Sequence, residues 1–251
     1  MRLLTICHMY PSQFLPRHGI FLIRQSEYLA EHGIQCTFLV PRPGAPWPLH
    51  SLPRWREYGP ANPLLKDPNH TTHSVRYFRP PGGWFKLHEG KAIAKALLPV
   101  TKQLHAAEQY SAILSCPMIR GSTAATIINR DLKLPHITLS IGSDVLVYPK
   151  QWPKLEVQLR ESIKHASLSV GVSQAICNRL AELGADDPLC VYLGRDASRF
   201  TPAVDRTALR AKHGWTDEHI VAVTVGRLVN TKGTDELMAV SYTHLTLPTK
   251  A

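Results

Sequence analysis

"SAILSCPMIRGSTAATIINRDLKLPHITLSIGSDV", residues 111–145, decides the fold class. "SAILSC" (111–116) is an apolar run of strand length. "RGSTAATIINRDL" (120–132) switches to helical spacing, and "HITLSI" (136–141) returns to a strand-like run. The same alternation extends in both directions. Upstream lie a strand "RLLTIC" (2–7), a helix "GIFLIRQSEYLAEHG" (19–33) ending at Gly33, a strand "QCTFLV" (35–40), a strand "SVRYFR" (74–79) and a helix "KAIAKALLPVTKQLHAAEQY" (91–110) with a kink expected at Pro99. Downstream come a helix "KLEVQLRESIKHA" (154–166), a strand "LSVGV" (168–172), a helix "SQAICNRLAELG" (173–184) and a strand "LCVYL" (189–193). Ser173 reads as the N-cap of that last helix and Gly184 as its stop. Strands alternating with helices predict a doubly wound parallel α/β sheet covered on both faces, of the Rossmann-like class. Between Pro41 and Pro68, eight prolines argue against helix interior or central strand.

After "RFTP" the pattern restarts, with a helix expected over "DRTALRAKHG" (205–214) and a strand over "HIVAVTVG" (219–226). "TVGRLVNTKGTDELM" (224–238) then places Arg227 at the strand's tip and Lys232 near the start of the next helix. Ligands of open α/β sheets bind at the carboxyl ends of strands, and a helix start already favours anions. Two cations there suit a diphosphate.

Composition bounds the partners. The net charge of +10, from 29 Lys+Arg against 19 Asp+Glu, calls for an anionic partner such as nucleic acid, an acidic membrane or a phosphorylated substrate. Zinc-finger spacing, RNP-like aromatics and arginine-rich runs are all missing, so no nucleic-acid partner is expected. Residues 41–110 hold ten Lys+Arg against four Asp+Glu. On a helical wheel His88, Lys91, Lys95, Lys102 and His105 share one sector, opposite Ile93, Ala96, Leu97, Val100 and Leu104. That basic stripe is a candidate for docking on an anionic membrane surface. Cys7, Cys36, Cys116, Cys177 and Cys190 have no CxxC spacing, and four lie in apolar runs, as buried free thiols do in a reducing compartment. No run of about 18 apolar residues could span a bilayer. A cytoplasmic protein is expected, peripheral at the inner face of the plasma membrane.

Five stretches in order resemble glycosyltransferase family 4, retaining enzymes of the GT-B fold with two Rossmann-like domains facing a cleft. They are "LTICHMYPSQFLPRHGIFLIRQSEYLAEHGIQCTFLVP" (4–41), "ILSCPMIRGSTAATIINRDLKLPHITLSIGSDV" (113–145), "VGVSQAICNRLAELGA" (170–185), "GRDASRFTP" (194–202) and "VGRLVNTKGTDEL" (225–237). The resemblance implies an acceptor-side domain over 1–200 and the beginning of a donor-binding domain over 201–239. It implies that Gly226, Arg227 and Lys232 hold the diphosphate of a nucleotide-sugar donor, with Gly19 bringing backbone close to the sugar or its phosphates. Asp144 would contact an acceptor hydroxyl and take its proton, helped by Ser143; the plain alternative is a turn or helix cap. The acceptor would be a glycan or lipid-linked sugar of bacterial surface polysaccharide synthesis. Neither a cofactor nor a metal is expected, since the sequence has no Asp-x-Asp or clustered histidine ligands.

The match has departures. Ile141 stands where an arginine is usual, Leu193 replaces an asparagine and Arg195 a valine, while Asp196 and Phe200 keep their places. His8 and His18 flank the first loop and read as surface residues. The family's donor domain runs on into a Glu-x7-Glu element that "SYTHLTLPTKA" (241–251) does not supply, so 240–251 reads as an artefactual tail and the chain as an inactive fragment. A non-catalytic acceptor- or membrane-binding domain is the alternative. A Rossmann oxidoreductase or epimerase is more distant, because "HMYPSQFLPRHG" (8–19) has one glycine where GxGxxG is wanted.

Overall fold

The computed structural model describes residues 1–44, 48–59, 62–80, 83–198, 200–201, 204–226, 228–229 and 232–242. The chain divides into two compact units, Met1–Gly194 and Arg195–Ala251.

The first unit is built on a seven-stranded, all-parallel sheet. β1 (Arg2–Cys7) is central, with β2 (Gln35–Gly44) and then β3 (Thr71–Phe78) on one side. On its other side follow β4 (Ala112–Cys116), β5 (His136–Ser140), β6 (Leu168–Gly171) and β7 (Leu189–Cys190). Buried on both faces, β1 reads as an unbroken apolar run, and its two-residue period divides the core. Leu3 and Cys7 face one cluster with Cys36, Phe38, Leu114 and Cys116. Leu4 and Ile6 face the other with Leu39 and Ile113.

Helices cover both faces. α1 (Ile20–Glu31) brings Leu22 and Ile23 to the first cluster. α2 (Glu89–Glu108) and α3 (Thr123–Leu132) bring Ile93, Leu97, Ala125 and Ile128 to the second. Two short helices, α4 (Ser143–Leu146) and α5 (Tyr148–Gln151), lead into α6 (Pro153–Lys164). α6 packs against α7 (Gln174–Glu182) through Leu159, Ile163, Ile176 and Leu180. Ser173 caps α7 as expected, its hydroxyl accepting from the Ile176 N–H. Cys7, Cys36, Cys116 and Cys177 are buried free thiols, and burial pushes Cys7 up to about 12.

Several expectations need correction. β2 runs into the proline-rich stretch, with Pro41 beside Val75 and Pro43 beside Tyr77. The β1 ladder ends at Leu39, so beyond it β2 has an open side where a missing N–H costs no ladder bond. α2 spans Glu89–Glu108 with Pro99 inside it and exposed, as a proline in a helix interior must leave one carbonyl unpaired. α3 starts at Thr123 rather than Arg120, because Ile119 and Arg120 have non-helical backbone in the turn after β4.

The second unit holds two helices among its described residues, α8 (Arg206–Lys212) and α9 (Thr234–Ser241). Asp205 caps α8 by accepting from the Ala208 N–H. "HIVAVTVG" is not a strand: Ile220, Val223 and Val225 are 78–94 % exposed. A parallel strand needs a neighbour's edge, and no other described segment of this unit supplies one. Residues 243–251, most of the expected tail, lie outside the described residues.

His136, the first residue of β5, is fully buried, with its Nε2 2.9 Å from the Ser115 hydroxyl and its Nδ1 without a hydrogen-bond partner among the described residues. Burial lowers its pKa from 6.5 to about 4. The folded chain therefore keeps it neutral while the unfolded chain protonates it below 6.5, so stability falls as pH drops from about 6.5 to about 4. The loss is about 3 kcal/mol. Urea unfolding at pH values spanning that window should show the midpoint falling with acid, and His136→Gln should flatten the fall. A pH-independent midpoint in the parent protein would refute this account.

Candidate functional site

The order β3-β2-β1-β4-β5-β6-β7 reverses direction at β1, and the crevice between the tips of β1 and β4 is where an open α/β sheet accepts ligands. A cavity of about 180 Å³ opens beside it, over the ends of β1, β2 and β3, with Arg120 reaching in from beyond β4. Its charged wall comes from four strand ends: His8 after β1, Arg42 at the end of β2, Arg79 after β3 and Arg120 after β4, with His18 from the first loop. Tyr10, Tyr58 and Tyr77 supply aromatic surface.

One carboxylate organises this wall. Glu89, 1 % exposed, sits at the first residue of α2, where the helix dipole favours a negative charge. Its Oε1 accepts from the Tyr77 hydroxyl at 2.5 Å and lies 3.2 Å from Arg79 Nε; Arg120 Nε stands 2.9 Å from Oε2. Gly90 makes that placement possible. A Cβ at Gly90 would lie 2.7 Å from the Thr123 side chain, so only glycine lets the start of α2 reach the start of α3, just beyond Arg120. Burial, followed by the charge of Glu89, holds the Tyr77 phenol above its usual range.

His8 corrects a sequence reading. It is no surface histidine: its Nδ1 is buried and has no hydrogen-bond partner among the described residues. Burial, with help from Arg120, His18 and Arg79, keeps its pKa well below 6.5, so the ring is neutral. Behind the cavity Tyr10 is held by a second network. Its hydroxyl is 2.7 Å from His70 Nε2 and accepts from Thr72 at 2.8 Å.

The residues expected from sequence fall in three places. Gly19 is the N-cap of α1 at φ 72°, and a Cβ there would lie 2.2 Å from the Met9 carbonyl oxygen. Both its conformation and that contact require glycine, and both keep the first loop tight against β1. Asp144 lies in the first turn of α4, 2 % exposed. Its Oδ1 accepts from the Ser140 hydroxyl and the Gly142 N–H, both at 2.9 Å, and its Oδ2 from the Met118 N–H at 3.0 Å. The carboxylate thus ties the loop after β5 to the turn after β4, while neighbouring Ser143 is exposed. Gly226 and Lys232 belong to the second unit; a Cβ on Gly226 would touch the Lys232 stem at 3.7 Å, and Lys232 is exposed. Arg227 lies outside the described residues.

The residues that build the cavity wall, Arg79, Glu89 and Arg120, escaped sequence reasoning. They are 41 positions apart or fewer but lie on three different elements, and no local spacing links them. The available signal was position alone, since Arg79 ends one strand-like run and Arg120 closely follows another.

No family model matches the chain. A curated protein of Bacillus subtilis (strain 168), named provisionally as the teichuronic acid biosynthesis glycosyltransferase TuaC, is 27% identical over 249 residues, covering 94% of this chain and 61% of that protein. Anabaena Alr3699/HepE, solved in complex with UDP-glucose, superposes with a TM-score of 0.55 at 16% identity, over 96% of this chain and 57% of that one. Arabidopsis thaliana UGT89C1, solved with UDP, gives a TM-score of 0.53 at 15% identity, over 96% and 64%. These two likenesses establish the doubly wound Rossmann-like fold. The chain spans about six tenths of the length of the curated relative it matches.

The hydrogen bonds of Asp144 make a stability prediction. Asp144→Ala leaves two N–H groups and a buried hydroxyl without their acceptor, which should cost about 2–4 kcal/mol. Urea titration reads this directly, and unchanged stability in the variant would remove the structural role.

Proposed function

We propose that this chain forms the acceptor side, and the beginning of the donor side, of a retaining GT-B glycosyltransferase of the family 4 type. It transfers a hexose from a nucleoside-diphosphate sugar to a glycan or lipid-linked acceptor in polysaccharide synthesis. The observation that carries this reading is the 27% identity to the TuaC protein, which runs across 94% of the chain rather than through one motif. The UDP and UDP-glucose held by proteins of the same fold support a UDP-linked donor.

The chemistry asks for what these residues can supply. Breaking the anomeric C–O bond leaves charge on a phosphate oxygen, and preorganised cations stabilise that charge more in the transition state than in the ground state. Arg227 and Lys232 are assigned that role, with Gly226 leaving room for the diphosphate. This electrostatic work requires no metal. The acceptor lies over the first unit's cavity, and Asp144 serves it by fixing the backbone of Gly142 and Met118. Residues 1–200 are the acceptor domain and 201–239 the opening of the donor domain. The enzyme works at the cytoplasmic membrane face, held there through α2, whose Lys91 and Lys95 are exposed while Lys102 pairs with Asp131.

Two experiments test this. In a version extended to the length of the TuaC relative, a panel of nucleotide sugars should include one whose transfer depends on acceptor. Arg227→Ala and Lys232→Ala should each lower kcat/KM by about 2–4 kcal/mol of transition-state stabilisation; normal turnover in both would sink the donor assignment. For the membrane role, co-sedimentation with anionic vesicles should weaken between low and physiological salt and fall in the Lys91→Gln, Lys95→Gln double variant. Equal pelleting with neutral vesicles would sink it.

A further inference from the structure

We propose that Cys177 and Cys190 form a reversible dithiol–disulfide site, which hydroperoxides oxidise and which then fastens β7 to α7. It belongs to the fold of the first unit and does not depend on the transferase reading above.

Gly171 brings the two sulfurs together. It ends β6, and α7 lies so close to it that a Cβ at that position would stand 2.8 Å from Cys177 Sγ. The thiol therefore occupies the space that a side chain on Gly171 would fill, 3.9 Å from the Gly171 carbonyl oxygen. Cys190 is the register partner of Gly171 in β7, and the Val191 N–H donates to the Gly171 carbonyl at 2.9 Å. Register partners in a parallel ladder project to the same face, one strand spacing of about 4.8 Å apart. The Cys190 side chain thus lies beside the Cys177 thiol, the approach that the narrow geometry of a disulfide needs. Burial, and after it a hydrogen bond with Cys190, raise the Cys177 thiol above its usual range. Both cysteines are free thiols.

A second pair shows what access adds. Cys7 and Cys116 are also register partners, in β1 and β4, but both are fully buried. Cys190 is half-buried on a two-residue strand at the sheet's edge, between Leu189 and Val191, which are 49% and 43% exposed. Such an edge opens locally at little cost, so an oxidant reaches Cys190 first. The Cys190 thiolate attacks a peroxide oxygen; the O–O bond breaks and hydroxide leaves, taking up the proton that the thiol released, and a sulfenic acid remains. The Cys177 sulfur then attacks the Cys190 sulfur. The S–S bond forms, the S–O bond breaks, and hydroxide departs with the Cys177 proton as water. Two electrons pass from the sulfurs to the peroxide, and a thiol reductant returns them. The bridge holds β7, the last element before the first unit ends at Gly194, against α7.

The reduced 251-residue protein is treated with hydrogen peroxide at neutral pH, its remaining thiols are alkylated in urea, and tryptic peptides are read by mass spectrometry. The expected product links peptide 165–179 to peptide 180–195 with the loss of two hydrogens, while Cys7, Cys36 and Cys116 are recovered alkylated. Dithiothreitol should restore both thiols. In Cys177→Ala, Cys190 should stop at the sulfenic acid and be trapped by dimedone; in Cys190→Ala, Cys177 should stay reduced. Cys190→Ala, at a half-buried position, keeps the test open if Cys177→Ala does not fold. Amide exchange at Val191 should slow at least tenfold when the parent is oxidised and stay unchanged in Cys190→Ala, which separates a fastened strand from general oxidation. Absence of the linked peptide from the folded parent, with Cys190 recovered as thiol or sulfinic acid, overturns the proposal. So does a Cys7–Cys116 link formed at an equal rate, or unchanged Val191 exchange in the disulfide form.

Discussion

Strand order reversal at β1 is the constraint from which the rest of the structure follows. The chain lays down β1 first and adds β2 and β3 to one side. It then returns to place β4 against the free edge of β1. Parallel crossovers are right-handed, so changing direction sends the connecting helices to opposite faces of the sheet. α1 accordingly covers one face, and α2 with α3 the other. The loops leaving β1 and β4 part at that point. Into the gap come the ends of four strands, each followed by a polar residue that no single segment would bring together.

Electrostatics then finishes what topology begins. A buried carboxylate is expensive unless it is paired and hydrogen-bonded. Glu89 is ion-paired with Arg79 and Arg120, its Oε1 accepts from the Tyr77 hydroxyl, and it lies at a helix start that adds a favourable dipole. Its position depends on a packing detail elsewhere, the close approach of Gly90 to Thr123. The same logic recurs in Asp144, whose three donors join the loops after β4 and β5. It recurs again in Tyr10, bound to His70 and Thr72 behind the cavity. Buried polar groups in this unit hold loops in place, and those loops form the walls of the site.

The second unit shows the opposite case. "HIVAVTVG" has the composition of a buried parallel strand, yet its apolar side chains are exposed and it has no ladder. Helices in the same unit form normally, with Asp205 capping α8 and Gly233 starting α9 at φ 65°. The difference is physical: a helix satisfies its backbone from within its own segment, whereas a strand depends on another strand's edge.

By itself the sequence determined the local elements and their class. The apolar runs, the helical spacing, the Ser173 cap and the obligatory Gly19 are set by a few neighbouring residues, so the alternation that specifies a doubly wound sheet was legible throughout residues 1–194. It also separated the two readings of Asp144 without choosing between them, since an aspartate in a turn suits either chemistry or capping. Tertiary structure added what no local reading contains, a donor from Met118 beside those of the aspartate's own loop. Only tertiary structure drew His8, Arg79, Glu89 and Arg120 together, and only it allowed Pro41 and Pro43 a place in β2 by ending the β1 ladder at Leu39. Charge and hydrogen-bond geometry act over ångströms in space, and residues on separate strand ends become neighbours only once the sheet has assembled.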